Sequence, residues 1–234
     1  MATVILVRHG RTTANASGVL AGRTAGVGLD KHGREQAART AERIAAVPIV
    51  GLVSSPLERC RQTSRILLRA QEPQDRDPRQ LVERNLTECD YGEWQGRKLA
   101  ELAKEPLWAT VQRQPSAVTF PGGESMAGMQ ARSVAAIRRH DAAFQAEFGP
   151  AAVWVAVSHG DIIKSILADA LGMHLDLFQR IAVGPASVSV VRYGEGRTEV
   201  LQTNTDSGDL AFLRAAPPAP EATVGGGSDQ AGAA

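Results

Sequence analysis

Cysteine is nearly absent from this chain of 234 residues. It occurs twice, as Cys60 and Cys89, with no Cys-x-x-Cys pair and no His/Cys ladder. That argues against a disulfide framework and against a structural zinc site, and both residues read as buried free thiols. Long apolar runs are also lacking. None approaches the roughly 18 residues of a membrane helix. Val4-Ile5-Leu6-Val7, ahead of Arg8-His9, is too short for a signal-peptide core. The expectation is a cytoplasmic protein with no membrane partner. An excess of one charge is missing too: 26 Lys and Arg face 25 Asp and Glu, for a net charge of +1. A general basic field for nucleic acid is therefore not expected. Lysine is scarce, at positions 31, 98, 104 and 164, so 22 of the 26 basic residues are Arg. Most of these reflect base composition, and a few are candidates to hold anions.

What is present is ordinary globular material, 43% hydrophobic and 22% charged, long enough for one sizeable core. Strand-like and helix-like segments alternate. Ala2 to Val7 is a β-branched run of the kind a buried parallel strand shows. A helix is predicted over 30–46. Ile49 to Val53 is a second short strand. After it, Ser55-Pro56-Leu57-Glu58 reads as a helix start, with Ser55 as cap, Pro56 at the first helical position and Glu58 closing a capping box. Residues 151–157 (AAVWVAV) form a third strand, leading through Ser158-His159-Gly160-Asp161 into a helix near 162–171. Val188 to Tyr193 and Thr198 to Leu201 are late strands around Gly194-Glu195-Gly196. A long helix at about 124–148 carries the apolar stripe Met126, Met129, Val134, Ile137, Phe144 and Phe148, read as core. Residues 105–123 look like a short helical piece followed by an irregular excursion, so 95–123 is a candidate lid. The last 20 residues hold seven Ala, four Gly and three Pro, and 211–234 is expected to be a disordered tail. The pattern implies one α/β domain over 1–210. It would be a three-layer sandwich, with a mainly parallel sheet and helices on both faces.

In such sheets ligands bind at the carboxyl ends of the strands. There stand Arg8-His9-Gly10-Arg11-Thr12, then Ser54-Ser55 with Arg59, then Ser158-His159-Gly160. Two His-Gly pairs and several Arg converge on one rim, an anion pocket with two imidazoles. Phosphoryl transfer needs such parts. Fixed donors surround three equatorial oxygens, a nucleophile stands in line, and an acid protonates the departing oxygen. A glycine beside each His would let those oxygens approach the backbone. Other chemistries fail on spelling. Neither cysteine begins a Cys-x5-Arg motif, no Gly-x4-Gly-Lys loop occurs, and Gly123-Glu124-Ser125-Met126-Ala127 misses the Gly-x-Ser-x-Gly pattern at its last place. No cluster suits a metal, and no cofactor is implied.

Leu6-Val7-Arg8-His9-Gly10 resembles the signature of the histidine phosphatase superfamily, the phosphoglycerate-mutase-like proteins. Residues 55–63 (SPLERCRQT) resemble its second motif and 86–96 (LTECDYGEWQG) its third. Gly122-Gly123-Glu124-Ser125 with Arg132 matches a further element, and Ser158-His159-Gly160 the last. The five run in the family's order. The resemblance implies His9 as the nucleophile that becomes phosphohistidine, with Arg8 and Arg59 clamping the phosphoryl oxygens and His159 as a further donor. Glu88 would be proton donor and then base. Asn15 falls where the family has a phosphate-contacting Asn, with Thr12 and the Gly160 amide as additional substrate contacts. Glu83 and Glu93 are read as solvated, Arg11 and Arg61 as salt-bridge residues, and His32, His140 and His174 as without chemistry.

The chain departs from the family at Arg11, Ala21 and Gly26, where Glu, Gln and Asp are usual, in or near a segment that reaches toward substrate. Cofactor-dependent mutases carry Arg directly after the acidic Glu; here it is Cys89. The implied activity is a phosphatase of small phosphorylated metabolites, of the histidine acid phosphatase type. A phosphomutase and a non-catalytic phosphate-binding or regulatory module are the alternatives. Exposed strand edges leave a homodimer open.

Overall fold

The computed structural model describes residues 2–71, 77–194 and 196–206. Six strands form one sheet: β1 (Thr3–Arg8), β2 (Gly51–Ser54), β3 (Arg79–Val82), β4 (Val153–Ser158), β5 (Val188–Tyr193) and β6 (Thr198–Thr205), in the order β3-β2-β4-β1-β5-β6. β3, β2, β4 and β1 run parallel, and β5 is antiparallel to both its neighbours. The mainly parallel sheet expected from the alternating pattern is therefore present.

The two central strands explain the layering. Side chains alternate across a strand. In β1, Val4 and Leu6 join one buried cluster with Trp154 and Ala156 of β4, while Ile5 and Val7 join another with Val155 and Val157. The first cluster is covered by α6 (Met126–Phe148) and α7 (Gly160–Ala170), through Ile137, Phe144, Ile163 and Leu167. The second is covered by α2 (Lys31–Ala45) and α3 (Glu58–Arg69), through Ala41, Ile44 and Leu67. Both faces of β1 and β4 are dry, which is why these strands read as unbroken apolar runs.

Four local expectations change. β3 carries no apolar run and was not expected as a strand; it pairs with β2 on one side only, at the sheet edge, with Val82 51% exposed. Ser55 does not cap α3. That helix begins at Glu58 with Leu57 in the cap position and no side-chain cap bond, and Glu58 Oε1 accepts from Gln62 Nε2 one turn on. Phe148 lies at the last turn of α6, past the covered stripe, and is 44% exposed. Residues 95–123 include the helical piece expected within 105–123, and the stretch after it holds a 3-10 turn and a bridge rather than an irregular excursion. They contain α4 (Leu99–Leu102), α5 (Pro106–Arg113) and a 3-10 turn, and they bury Leu102, Val111, Val118 and Phe120. Trp94 stacks on Trp108 at 6.0 Å and meets Phe120 edge-on at 5.3 Å, so this segment packs on the chain just after Glu88. The remaining short helix, α1 (Thr13–Ala16), follows β1. Glu195 and the proposed tail lie outside the described residues. No helix among those described is long and apolar enough to cross a membrane.

Candidate active site

Register brings the chemistry together. Arg8 stands opposite Ser158 and Ser54 opposite Val157, so β1, β4 and β2 end level along one edge of the sheet. The residues that leave those ends are Arg8-His9, Ser158-His159 and Ser54-Ser55. His9 is fixed on both sides of its backbone: its N–H donates to Ser158 O at 3.0 Å and its carbonyl accepts from Ala186 N at 3.1 Å.

The His9 side chain has one defined tautomer. Nδ1 donates to Gly10 O at 2.8 Å, a carbonyl that can only accept. Nε2 therefore carries the lone pair, and it accepts from Arg59 Nε at 3.2 Å. Burial, followed by the Arg59 and Arg8 guanidiniums, holds the imidazole well below its ordinary range, so it stays neutral at pH 7. Arg59 sits in the first turn of α3 and is 2% exposed. Its Nη2 donates to Gly22 O at 2.7 Å, and its buried Nη1 has no hydrogen-bond partner among the described residues. A buried guanidinium without a carboxylate costs several kcal/mol unless an anion meets it, and no ion pair among the described residues includes Arg59. Arg8 is also fully buried and donates from Nη1 to Val183 O at 2.7 Å.

His159 lies beside His9, ring centroids 5.2 Å apart and close to edge-on. Its Nε2 is 2.8 Å from Ser55 Oγ. Burial, then Arg59, His9 and Arg8, keep it neutral as well. Ser55 Oγ also accepts from the Leu57 N–H at 3.4 Å. The hydroxyl expected to cap a helix instead orients an imidazole 104 residues away. Cys60 Sγ packs against the same ring, and burial pushes its thiol up to about 12. Burial drives the Cys89 thiol higher still, so neither sulfur is a nucleophile at neutral pH.

Glu88 is 3% exposed, with Oε1 accepting from Cys89 N at 3.0 Å. Burial and the nearby Asp161 carboxylate raise its pKa to about 7, against the opposing pull of Arg59, the Cys89 N–H and Arg8. Asp161, in the first turn of α7, accepts from Tyr91 OH at 2.7 Å. A carboxyl that titrates near neutrality beside two guanidiniums can both give and take a proton there.

The other predicted residues fall into place as follows. Gly160 is buried at the first position of α7, where helix N–H groups lack intrahelical acceptors. Thr12 and Asn15 engage each other. Asn15 Oδ1 accepts from Thr12 N and Oγ1, and Thr12 Oγ1 accepts from Asn15 N, forming the capping box of α1. The Thr12 hydroxyl therefore holds Asn15 rather than facing outward. Gly10 has a packing reason the sequence did not show: a Cβ there would collide with the backbone of Gly33 in α2. Arg11 forms the expected salt bridge, to Asp30 at 2.8 Å. Glu83 is not solvated. Its carboxylate is 12% exposed and meets Arg139 and His140, the latter at 3.0 Å. No group of three His, Cys, Asp or Glu among the described residues is placed to hold a metal. Ser55 was placed on the rim, but as a helix cap rather than as a partner of His159; Tyr91 and Asp161 were not singled out as site residues, although Tyr91 lies inside the third motif and Asp161 directly follows the last.

Comparison with known proteins gives this arrangement a family. The profile of the histidine phosphatase superfamily (branch 1) matches residues 4–206. The chain belongs to that superfamily. A bifunctional protein of Mycobacterium tuberculosis is 31% identical over 204 residues, which are 86% of this chain and 53% of that protein. The chain thus spans about half the length of that relative. A 2,3-bisphosphoglycerate-dependent phosphoglycerate mutase of Gloeobacter violaceus is 30% identical over 171 residues, covering 72% of this chain and 75% of the mutase. A mycobacterial glucosyl-3-phosphoglycerate phosphatase, solved in complex with VO3, superposes with a TM-score of 0.74 at 27% identity, over 86% of this chain and 98% of the other. The superfamily members similar to this chain include both phosphatases and mutases.

Proposed function

We propose that this histidine phosphatase superfamily member is a metal-independent phosphatase of the histidine acid phosphatase type, hydrolysing small phosphomonoesters through a phosphohistidine on His9. The observation that carries the reading is the His9 tautomer: Nδ1–H is committed to Gly10 O, and the Nε2 lone pair faces the Arg59 guanidinium. Nε2 attacks phosphorus, the ester P–O bond breaks, and Glu88 passes its proton to the departing oxygen. Arg59, Arg8, His159, the Gly160 amide and Asn15 stabilise the equatorial oxygens. Glu88, now a carboxylate, takes a proton from water as that water attacks the phosphoryl group. Inorganic phosphate leaves, and His9 is restored. Residues 1–210 act as one catalytic domain with 95–123 as a cover. This cover is tied to the rim by Leu20 N–Arg97 O and Gly96 N–Leu20 O bonds of 2.9 and 2.8 Å.

A hydrolase is favoured over a mutase because a mutase must hold a second phosphate with a second set of fixed cations. The residue after Glu88 is the buried neutral Cys89. In the cover, Arg97 is paired with Glu105 at 2.6 Å, and Lys98, Lys104 and Arg113 are exposed. The test is turnover of a panel of sugar phosphates, phosphoglycerates and aryl phosphates, with and without a bisphosphate primer and with EDTA. Phosphate release without primer, unchanged by EDTA, is expected. Primed interconversion of 3- and 2-phosphoglycerate that outruns phosphate release by a wide margin would make the protein a mutase.

A further inference from the structure

Two guanidiniums converge on one backbone oxygen at the acid. The carbonyl of Glu88 accepts from Arg23 Nε at 2.9 Å and from Arg132 Nη2 at 3.2 Å. Both Arg also grip Glu124. Arg23 Nη2 and Arg132 Nη2 reach Oε1 at 2.9 and 2.6 Å, and Arg132 Nε reaches Oε2 at 2.9 Å. Glu124 Oε1 in turn accepts from Asp90 N at 2.9 Å, and Arg132 Nη1 donates to Asn85 O at 2.6 Å. The loop bearing Glu88 is thus held before, at and after the acid.

Arg132 and Glu124 join that loop to α6. Arg23 joins it to the phosphate clamp. The carbonyl of Gly22, bonded through the peptide to Arg23, accepts from Arg59 Nη2 at 2.7 Å. The Arg23 N–H donates to Gln95 Oε1 at 2.5 Å, which anchors the same unit to the cover. Every nitrogen of the Arg23 guanidinium is engaged, Nη1 with Asp90 Oδ2 at 3.3 Å. Three of its five N–H groups are thus committed to two carboxylates and the Glu88 carbonyl, and the side chain is one-third exposed.

The geometry points to Arg23 as a positioning residue that sets the Glu88 carboxyl at its distance from the Arg59 phosphate clamp. This rests on reading Glu88 as the proton donor. Proton transfer demands hydrogen-bond distance to the departing oxygen, and a misplacement of about 1 Å costs on the order of a hundredfold. Loss of Arg23 leaves Arg132 on the Glu88 carbonyl, so the loop stays attached while its link to the clamp is gone. A substrate-binding role for Arg23 would instead appear in KM, and a purely structural role would slow all substrates alike.

The experiment is a series of substituted phenyl phosphates assayed with wild type, Arg23→Met, Arg23→Lys and Glu88→Gln, with melting curves for each. An acid held out of place matters most for the poorest leaving group. The ratio of phenyl phosphate to 4-nitrophenyl phosphate turnover is expected to fall about tenfold or more in Arg23→Met, mainly through kcat. Arg23→Lys is expected to fall similarly, because a single ammonium cannot span the fork. It retains the charge beside Glu124 and Asp90 and carries the test if the Met variant does not fold. A wild-type ratio in a folded variant, or an equal loss on every ester, overturns the inference. If Glu88→Gln also leaves the ratio unchanged, the donor role of Glu88 falls. If Glu88→Gln changes it and the Arg23 variants do not, only the role of Arg23 falls.

Discussion

Burial shifts His9 and Glu88 in opposite directions, so that near pH 7 His9 is neutral while Glu88 is at the midpoint of its titration. Burial with Arg59 and Arg8 lowers His9, so protonation of the proposed nucleophile sets in only well below pH 6.5. Burial with Asp161 raises Glu88 to about 7. The proposed donor is protonated below that value and ionises above it. Turnover of a poor leaving group is therefore expected to hold level through mildly acidic pH and to decline as pH rises through about 7. In Glu88→Gln the amide does not titrate. The descending limb should disappear, and the remaining rate should be lower by about a hundredfold or more. A pH–rate profile of wild type and variant checks this. A limb that persists in Glu88→Gln assigns the titration to another group.

Among the elements, the β1–α1 turn meets α2 backbone to backbone, with no room for a side chain between them. A Cβ on Gly33 would collide with the backbone N, C and O of Arg11, and one on Gly10 would collide with Gly33 O. Two effects compete in Gly33→Ala. Alanine is better than glycine inside a helix by about 1 kcal/mol. Overpacking against backbone costs about 1–3 kcal/mol, and here the obstacle is main chain at the exit of β1, which cannot rotate away. The clash should win, giving net destabilisation in urea unfolding and a loss of activity through His9. A more stable variant would show that the two backbones are further apart than described. The same scale explains what was legible in the sequence. β1, β2 and β4 announce themselves because both faces are buried. β3 is an edge strand held by backbone bonds to one neighbour, and its residues carry no apolar signal. The start of α3 was misread because Ser55-Pro56 has the chemistry of a cap, while the Ser55 hydroxyl was drawn away by His159.

Across the whole molecule, the site residues legible in advance are those at strand ends. Arg8, His9 and His159 need only the strand positions to be placed on one rim. Contacts between distant segments were not legible. Arg23, Arg132 and Glu124 meet the Glu88 loop across separations of 34 to 67 residues. In a chain with 22 Arg, nothing in local spelling separates Arg23 from an arginine that faces water. The central claim, that all these elements serve a nucleophilic imidazole, reduces to one covalent bond. Rapid mixing with an aryl phosphate, quenching in alkali and mass spectrometry of the peptides tests it most directly. A phosphoryl group is predicted on His9 in wild type, accumulating further in Glu88→Gln if the water step is slowed, and absent from His9→Asn. Steady turnover with no trapped phosphohistidine and undiminished activity in His9→Asn, or the phosphoryl group on His159 instead, would contradict it.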